Sequence, residues 1–191
     1  MGIDTRDGQD HEQEAARLLR ERIVSTDVGD ANALREVVDL ARSRSFGLDG
    51  ATFKVKKESV RGKGQTIPPE FDLAFLDQTT LRIYLNTDTV PSDAMDEITE
   101  HEATEMVRVL ILTPEGDKPD KEMWRGAHHA ALISEYARAK ENERLEKHHA
   151  WIIAYLESLK RKFPDNDPLT QAIERQAQER IEVYEQVLAH D

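Results

Sequence analysis

The residues best suited to chemistry lie in the segment Glu97-Ile98-Thr99-Glu100-His101-Glu102-Ala103-Thr104-Glu105. On a helix, a spacing of four places His101 and Glu105 one turn apart on one face, where an imidazole nitrogen and a carboxylate oxygen can reach the same divalent ion. Zinc accepts both donor types, and a mixed histidine–carboxylate set also suits iron or manganese. In H-E-x-x-H helices the glutamate after the first histidine activates water at the metal, a role that falls here to Glu102.

An ion held this way needs further ligands. The segment Ala127-His128-His129-Ala130-Ala131-Leu132-Ile133-Ser134-Glu135 offers them. His128 and Glu135, seven apart, share a helix face, and the small Ala131 between them lets a second helix approach closely. His129 points about 100° away from His128, on a stripe with Leu132, Ile133 and Tyr136. His128 is therefore the preferred ligand, with His129 as the alternative. The link at residues 113–119 is short, so the two helices should pack as an antiparallel hairpin that puts His128 across from His101.

The elements that must position these residues follow from periodicity and punctuation. A helix is predicted over His11–Val24 and a second from Ala31 to about Ser43, capped by Asp30 and ended by Gly47 and Gly50. Ala51–Ser59 alternates as a half-buried strand, followed by a turn at Arg61–Gly64 and a stiff Ile67-Pro68-Pro69 connection. Phe71–Leu76 and Thr80–Leu85 read as a hairpin, with the latter an edge strand able to hold an extended substrate. A helix capped by Ser92 should run to Leu112. A long helix is expected from Asp120 to Lys162, kinked near His148-His149, and a last one over Leu169–Leu188. The fold class is α+β, a small antiparallel sheet followed by a helical hairpin and long C-terminal helices. Residues 1–140 would form the α+β domain and 141–191 a helical extension.

With that order of elements, the chain resembles the zincin-like metallopeptidases over about residues 67–140. H-E-x-x-E followed by A-H-x-x-A-x-x-x-E is similar to small zincin-like proteins of phage and mobile-element genomes, with Glu105 standing where the main families carry a histidine. The resemblance implies that His101, Glu105 and His128 bind zinc and that Glu102 polarises water. It implies that Glu135 is a fourth ligand or orients the others. It also implies a peptide or protein substrate.

Composition narrows the alternatives. The 191 residues carry a formal net charge of −12, with 34% charged and 38% hydrophobic residues. Such a chain repels phosphate backbones and acidic membrane surfaces, so neither nucleic acid nor membrane is expected as a partner. There is no cysteine, which excludes disulfides and thiolate sites. No apolar leader or membrane-length run is seen, and Arg6 does not fit a myristoylation signal, so a cytoplasmic location is the expectation. A second reading is a non-catalytic, acidic helical adaptor or phage-type structural protein that forms oligomers through its C-terminal helices. Ala150, Ile153, Ala154, Leu156 and Leu159 would be its apolar seam. A DNA-mimic inhibitor, suggested by the charge alone, ranks last. His148-His149 reads as helix-surface histidines, and the basic island Lys54–Lys63 as an exposed hairpin whose lysines discourage edge pairing.

Overall fold

Asp30, a short polar residue in extended conformation, accepts hydrogen bonds from the free amides of Asn32 and Ala33 and starts a helix over Ala31–Arg42 (α2). It packs beside Thr5–Val24 (α1). The computed structural model describes residues 5–61, 72–113, 117–165 and 167–189. The predicted turn beyond Arg61, the Ile67-Pro68-Pro69 connection, Phe71 and the Pro114–Gly116 part of the interhelical link lie outside the described residues.

Two corrections concern the next stretch. Ser45–Leu48 forms a strand (β1) where only a helix stop was expected. Gly50–Arg61 is a helix (α3), not a strand. Alternation of Phe53 and Val55 with lysines satisfies a strand, but Phe53, Lys57 and Val60 also lie on one helical stripe, and Phe53 and Lys57 are buried. Asp49 decides the matter locally by accepting from the Thr52 amide and hydroxyl at 2.9 and 2.7 Å. The described part of the basic island, from Lys54 to Arg61, is thus helical: Lys57 is buried against Asp72 and Lys56 pairs with Asp77, while Val55 is exposed.

Ala74–Asp77 (β2) and Arg82–Asn86 (β3) pair antiparallel as expected, with Ala74 opposite Leu85 and Asp77 opposite Arg82. The sheet order is β1-β3-β2, and β1 pairs with β3 in parallel, so the sheet is mixed. This overturns the edge-strand assignment of Thr80–Leu85: β3 is the central strand, its backbone engaged on both sides, and no free edge is left there for a substrate. Leu81 closes the hairpin with φ 49°. A left-handed leucine costs about 1–2 kcal/mol, offset here by complete burial of its side chain.

Met95–Leu112 (α4) runs through the middle of the fold. One face of the sheet, with α1 and α2, packs on Ala103, Met106 and Val107 of α4. The other face carries Phe75 and Tyr84 against Phe53 of α3. Ser92 is not the cap; residues 92–94 make a turn, Ala94 occupies the cap position, and Asp96 and Glu97 supply the acids of the first turn. The first two glutamates of α4 face the interior. Glu97 and Glu100 are fully buried and paired, Glu97 with Arg144 and Asn142, Glu100 with Arg35, Arg42 and Ser134.

Asp120 caps Lys121–Glu141 (α5), which packs along α4 as the predicted hairpin. The helix expected to reach Lys162 is two helices. It stops at Asn142, Glu143 takes φ 57°, and Leu145–Lys162 (α6) starts anew. Buried Glu97 accepts from both Asn142 and Arg144, which anchors the break well before His148. Asp167–Ala189 (α7) returns along α5 and α6. Leu156 and Leu159 of the predicted seam are buried against Leu169 and Ile173 of α7, so those two leucines serve the interior of this chain. No helix among the described residues is long and apolar enough to cross a membrane.

Candidate metal centre

The hairpin of α4 and α5 brings His101, Glu105 and His128 together. Ala127 and Ala131 of α5 are fully buried, and these small side chains let its backbone come close to α4. Glu105 Oε2 lies 3.4 Å from His101 Nε2 and 2.9 Å from His128 Nδ1. The two imidazoles meet edge to face, with ring centroids 4.9 Å apart. One donor atom from each of the three residues falls within 4.8 Å of the others. Donors on one tetrahedral zinc, at about 2.0–2.1 Å each, sit roughly 3.3 Å apart. The two glutamate distances bracket that value, so the residues fit a divalent ion with small side-chain adjustments. His101 is buried, whereas Glu105 and His128 are partly open. His129, the alternative ligand, is exposed and lies outside this group.

Glu135 is fully buried behind this group. Its Oε2 lies 2.8 Å from His101 Nδ1, an ion-pair contact off the line of a straight hydrogen bond. Its Oε1 accepts from Arg180 Nη1 and contacts His148 Nε2, each at 2.6 Å. Glu135 therefore sits on the far ring nitrogen of His101 from Glu105. Of the two roles implied by the resemblance, this geometry corresponds to orientation. His148 is buried, contrary to the surface reading, because the start of α6 turns it inward onto Glu135. His149 stacks on Tyr184 and bonds the Tyr136 hydroxyl at 2.9 Å. Neither Arg180 nor His148 has a spacing relationship to the His101 segment, and both escape sequence reasoning.

Glu102, one residue on from His101, faces a cleft of about 950 Å³. Glu105 reaches the same cleft. Its other walls come from α1, the β2–β3 turn, the C-terminal half of α4 and Trp124 at the start of α5. Of the five assigned positions, His101, Glu105 and His128 are in contact, Glu135 lies behind His101, and Glu102 lines the cleft that Glu105 also reaches.

The charges of the cluster are mutually dependent. Burial disfavours a charged His101, but Glu105 and Glu135 outweigh it and raise its pKa from 6.5 to about 10. Burial opposes ionisation of Glu105 too, yet His101 and His128 hold it down at about 2. Glu135 stays well below the usual carboxylate range: burial opposes its charge, and Arg180, His101 and His148 overcome that. In the metal-free protein, then, the His101 contribution to stability is complete below about pH 6.5 and is lost as pH rises through about 10. The Glu105 contribution is complete above about pH 4.5 and is lost as pH falls through about 2. A metal held by His101 would have to displace its proton, so affinity would rise with pH and about one proton per ion would be released near pH 8. Calorimetric titration with zinc in buffers of different ionisation enthalpy measures that release; binding with no proton release would show that His101 is not a ligand.

No protein-family model, no curated protein and no solved structure matches this chain.

Proposed function

We propose that this protein is a metal-dependent hydrolase that cleaves peptides. The observation that carries the reading is the convergence of His101, Glu105 and His128 from two helices at metal-ligand separations, beside a cleft that Glu102 also faces. His101, Glu105 and His128 would hold a divalent ion, zinc or else iron or manganese, which would supply Lewis acidity. Glu102 takes a proton from the attacking water and delivers it to the departing amine nitrogen, as the new C–O bond forms and the C–N bond breaks. Glu135 holds the His101 ring in place. The cleft beyond Glu102 combines apolar walls at Val24, Leu76, Met106 and Trp124 with the acids Glu21 and Asp117. Such a surface favours a peptide with large apolar side chains over an acidic one.

The decisive test is metal content by mass spectrometry on tag-free protein equilibrated with zinc or manganese, beside a His101→Ala variant. The expected result is about one ion per chain, absent from the variant, and chelator-sensitive cleavage of a mixed fluorogenic peptide library. No uptake of either metal would remove the reading altogether. Uptake without cleavage of any library peptide would remove the peptidase assignment.

A further inference from the structure

The last helix has a connection to the metal cluster that its sequence does not suggest. Adjacent residues of α7, Glu179 and Arg180, each stand behind a different histidine of the cluster. Arg180 is buried and reaches His101 through Glu135: Nη1 lies 2.6 Å from Glu135 Oε1, whose partner oxygen lies 2.8 Å from His101 Nδ1. Glu179 stands on His128, its Oε2 3.7 Å from Nε2. That gap exceeds a hydrogen bond, but the Glu179 side chain is about half exposed (48%) and can close it by rotation. Both imidazoles thus have the same arrangement: one ring nitrogen toward the shared Glu105, the other toward a second carboxylate.

Resting on the metal reading above, we propose that α7 is the outer layer of the metal centre. Glu179 and Arg180 are positioning residues that fix which nitrogen of each histidine binds the ion, Nε2 of His101 and Nδ1 of His128. The physical reason is general. A neutral imidazole has one protonated and one bare nitrogen, and the proton goes where a carboxylate waits for it. A carboxylate behind a ligating histidine both sets the ring orientation and makes the bare nitrogen a stronger donor. Glu135 would do this for His101 only if kept ionised and in place inside the protein, and the Arg180 guanidinium does both. Glu179, being exposed, acts more weakly on His128. Helix α7 therefore does more than cover α5 and α6.

The test uses the full chain and two variants. Glu179→Gln changes an exposed side chain and leaves folding intact. The paired Glu135→Leu, Arg180→Met protein replaces a buried ion pair by apolar groups of similar size, so that no lone charge is stranded. Affinity for zinc is measured by competition with a chromophoric chelator, and the imidazole tautomers by long-range ¹H–¹⁵N spectra of the zinc-loaded protein. The expected result is a roughly 10–100-fold loss of affinity in the paired variant and a smaller loss in Glu179→Gln. In the wild type, the spectra should show the proton on Nδ1 of His101 and on Nε2 of His128. Wild-type affinity in both folded variants, or the opposite tautomers, would overturn the proposal while leaving the metal reading standing. Absence of zinc binding by the wild type would remove both. If the paired variant does not fold, Glu179→Gln and the wild-type tautomers decide the question.

Discussion

Glu102→Gln protein is expected to bind metal as the wild type does and to lose nearly all peptide cleavage, by roughly 10²–10⁴-fold in kcat. Glutamine has the shape of glutamate and keeps the cleft wall filled, but its amide cannot accept the proton of the attacking water. Glu102 faces the cleft and falls outside the candidate ligand group of His101, Glu105 and His128, so stoichiometry should stay constant. KM should move little, since glutamine preserves the shape of the cleft wall. Glu105→Gln makes the contrasting control, because that substitution weakens a proposed ligand and should lower metal content as well. Steady-state kinetics with the best library peptide, beside metal analysis of the same preparations, separate the two. Full activity in Glu102→Gln would require another base and would sink the mechanism.

Removing Glu135 should have the largest effect on stability. Glu135→Ala leaves the Arg180 guanidinium buried with no carboxylate, takes from His148 its contact and from His101 its rear partner. Stranding a buried charge costs about 3–5 kcal/mol. For a chain of this size about 1 kcal/mol corresponds to roughly 2–4 °C, so the melting temperature of the metal-free protein should fall by roughly 6–20 °C. The paired Glu135→Leu, Arg180→Met protein should recover most of that loss, since both charges leave together. Urea denaturation of the three proteins checks this. A Glu135→Ala protein within about 1 kcal/mol of wild type would mean that the buried group of Glu135, Arg180 and His148 is not paired as described. The two experiments complement each other: stability follows the balance of buried charge, whereas metal affinity should follow the carboxylate behind His101, which the paired variant lacks.

Parts of the molecule are legible in local spacing. The cap at Asp30, the helix start at Asp120, the antiparallel pair β2 and β3, and the hairpin of α4 and α5 all depend on residues a few positions apart or on a short link. The same locality brings His101, Glu105 and His128 together, since a helix face and an antiparallel turn suffice to do it. Where two periodicities compete, local pattern fails. Phe53 and Val55 satisfy a strand as well as a helix, and the Asp49 cap tips the balance to α3. The strand β1 has only four residues, and its role exists only because β3 offers a parallel partner. The break at Asn142–Arg144 is pinned by Glu97, forty-five residues earlier.

The amino-acid sequence by itself therefore determined the candidate ligands and Glu102 as the candidate base. Only the tertiary structure decided what stands behind them. Glu135 turned to His101, His148 pointed inward, and Glu179 and Arg180 arrived from α7. The physical reason is that ligand spacing on a helix is set by its 3.6-residue turn, whereas a buried carboxylate takes whatever cation the packing of distant helices brings within reach.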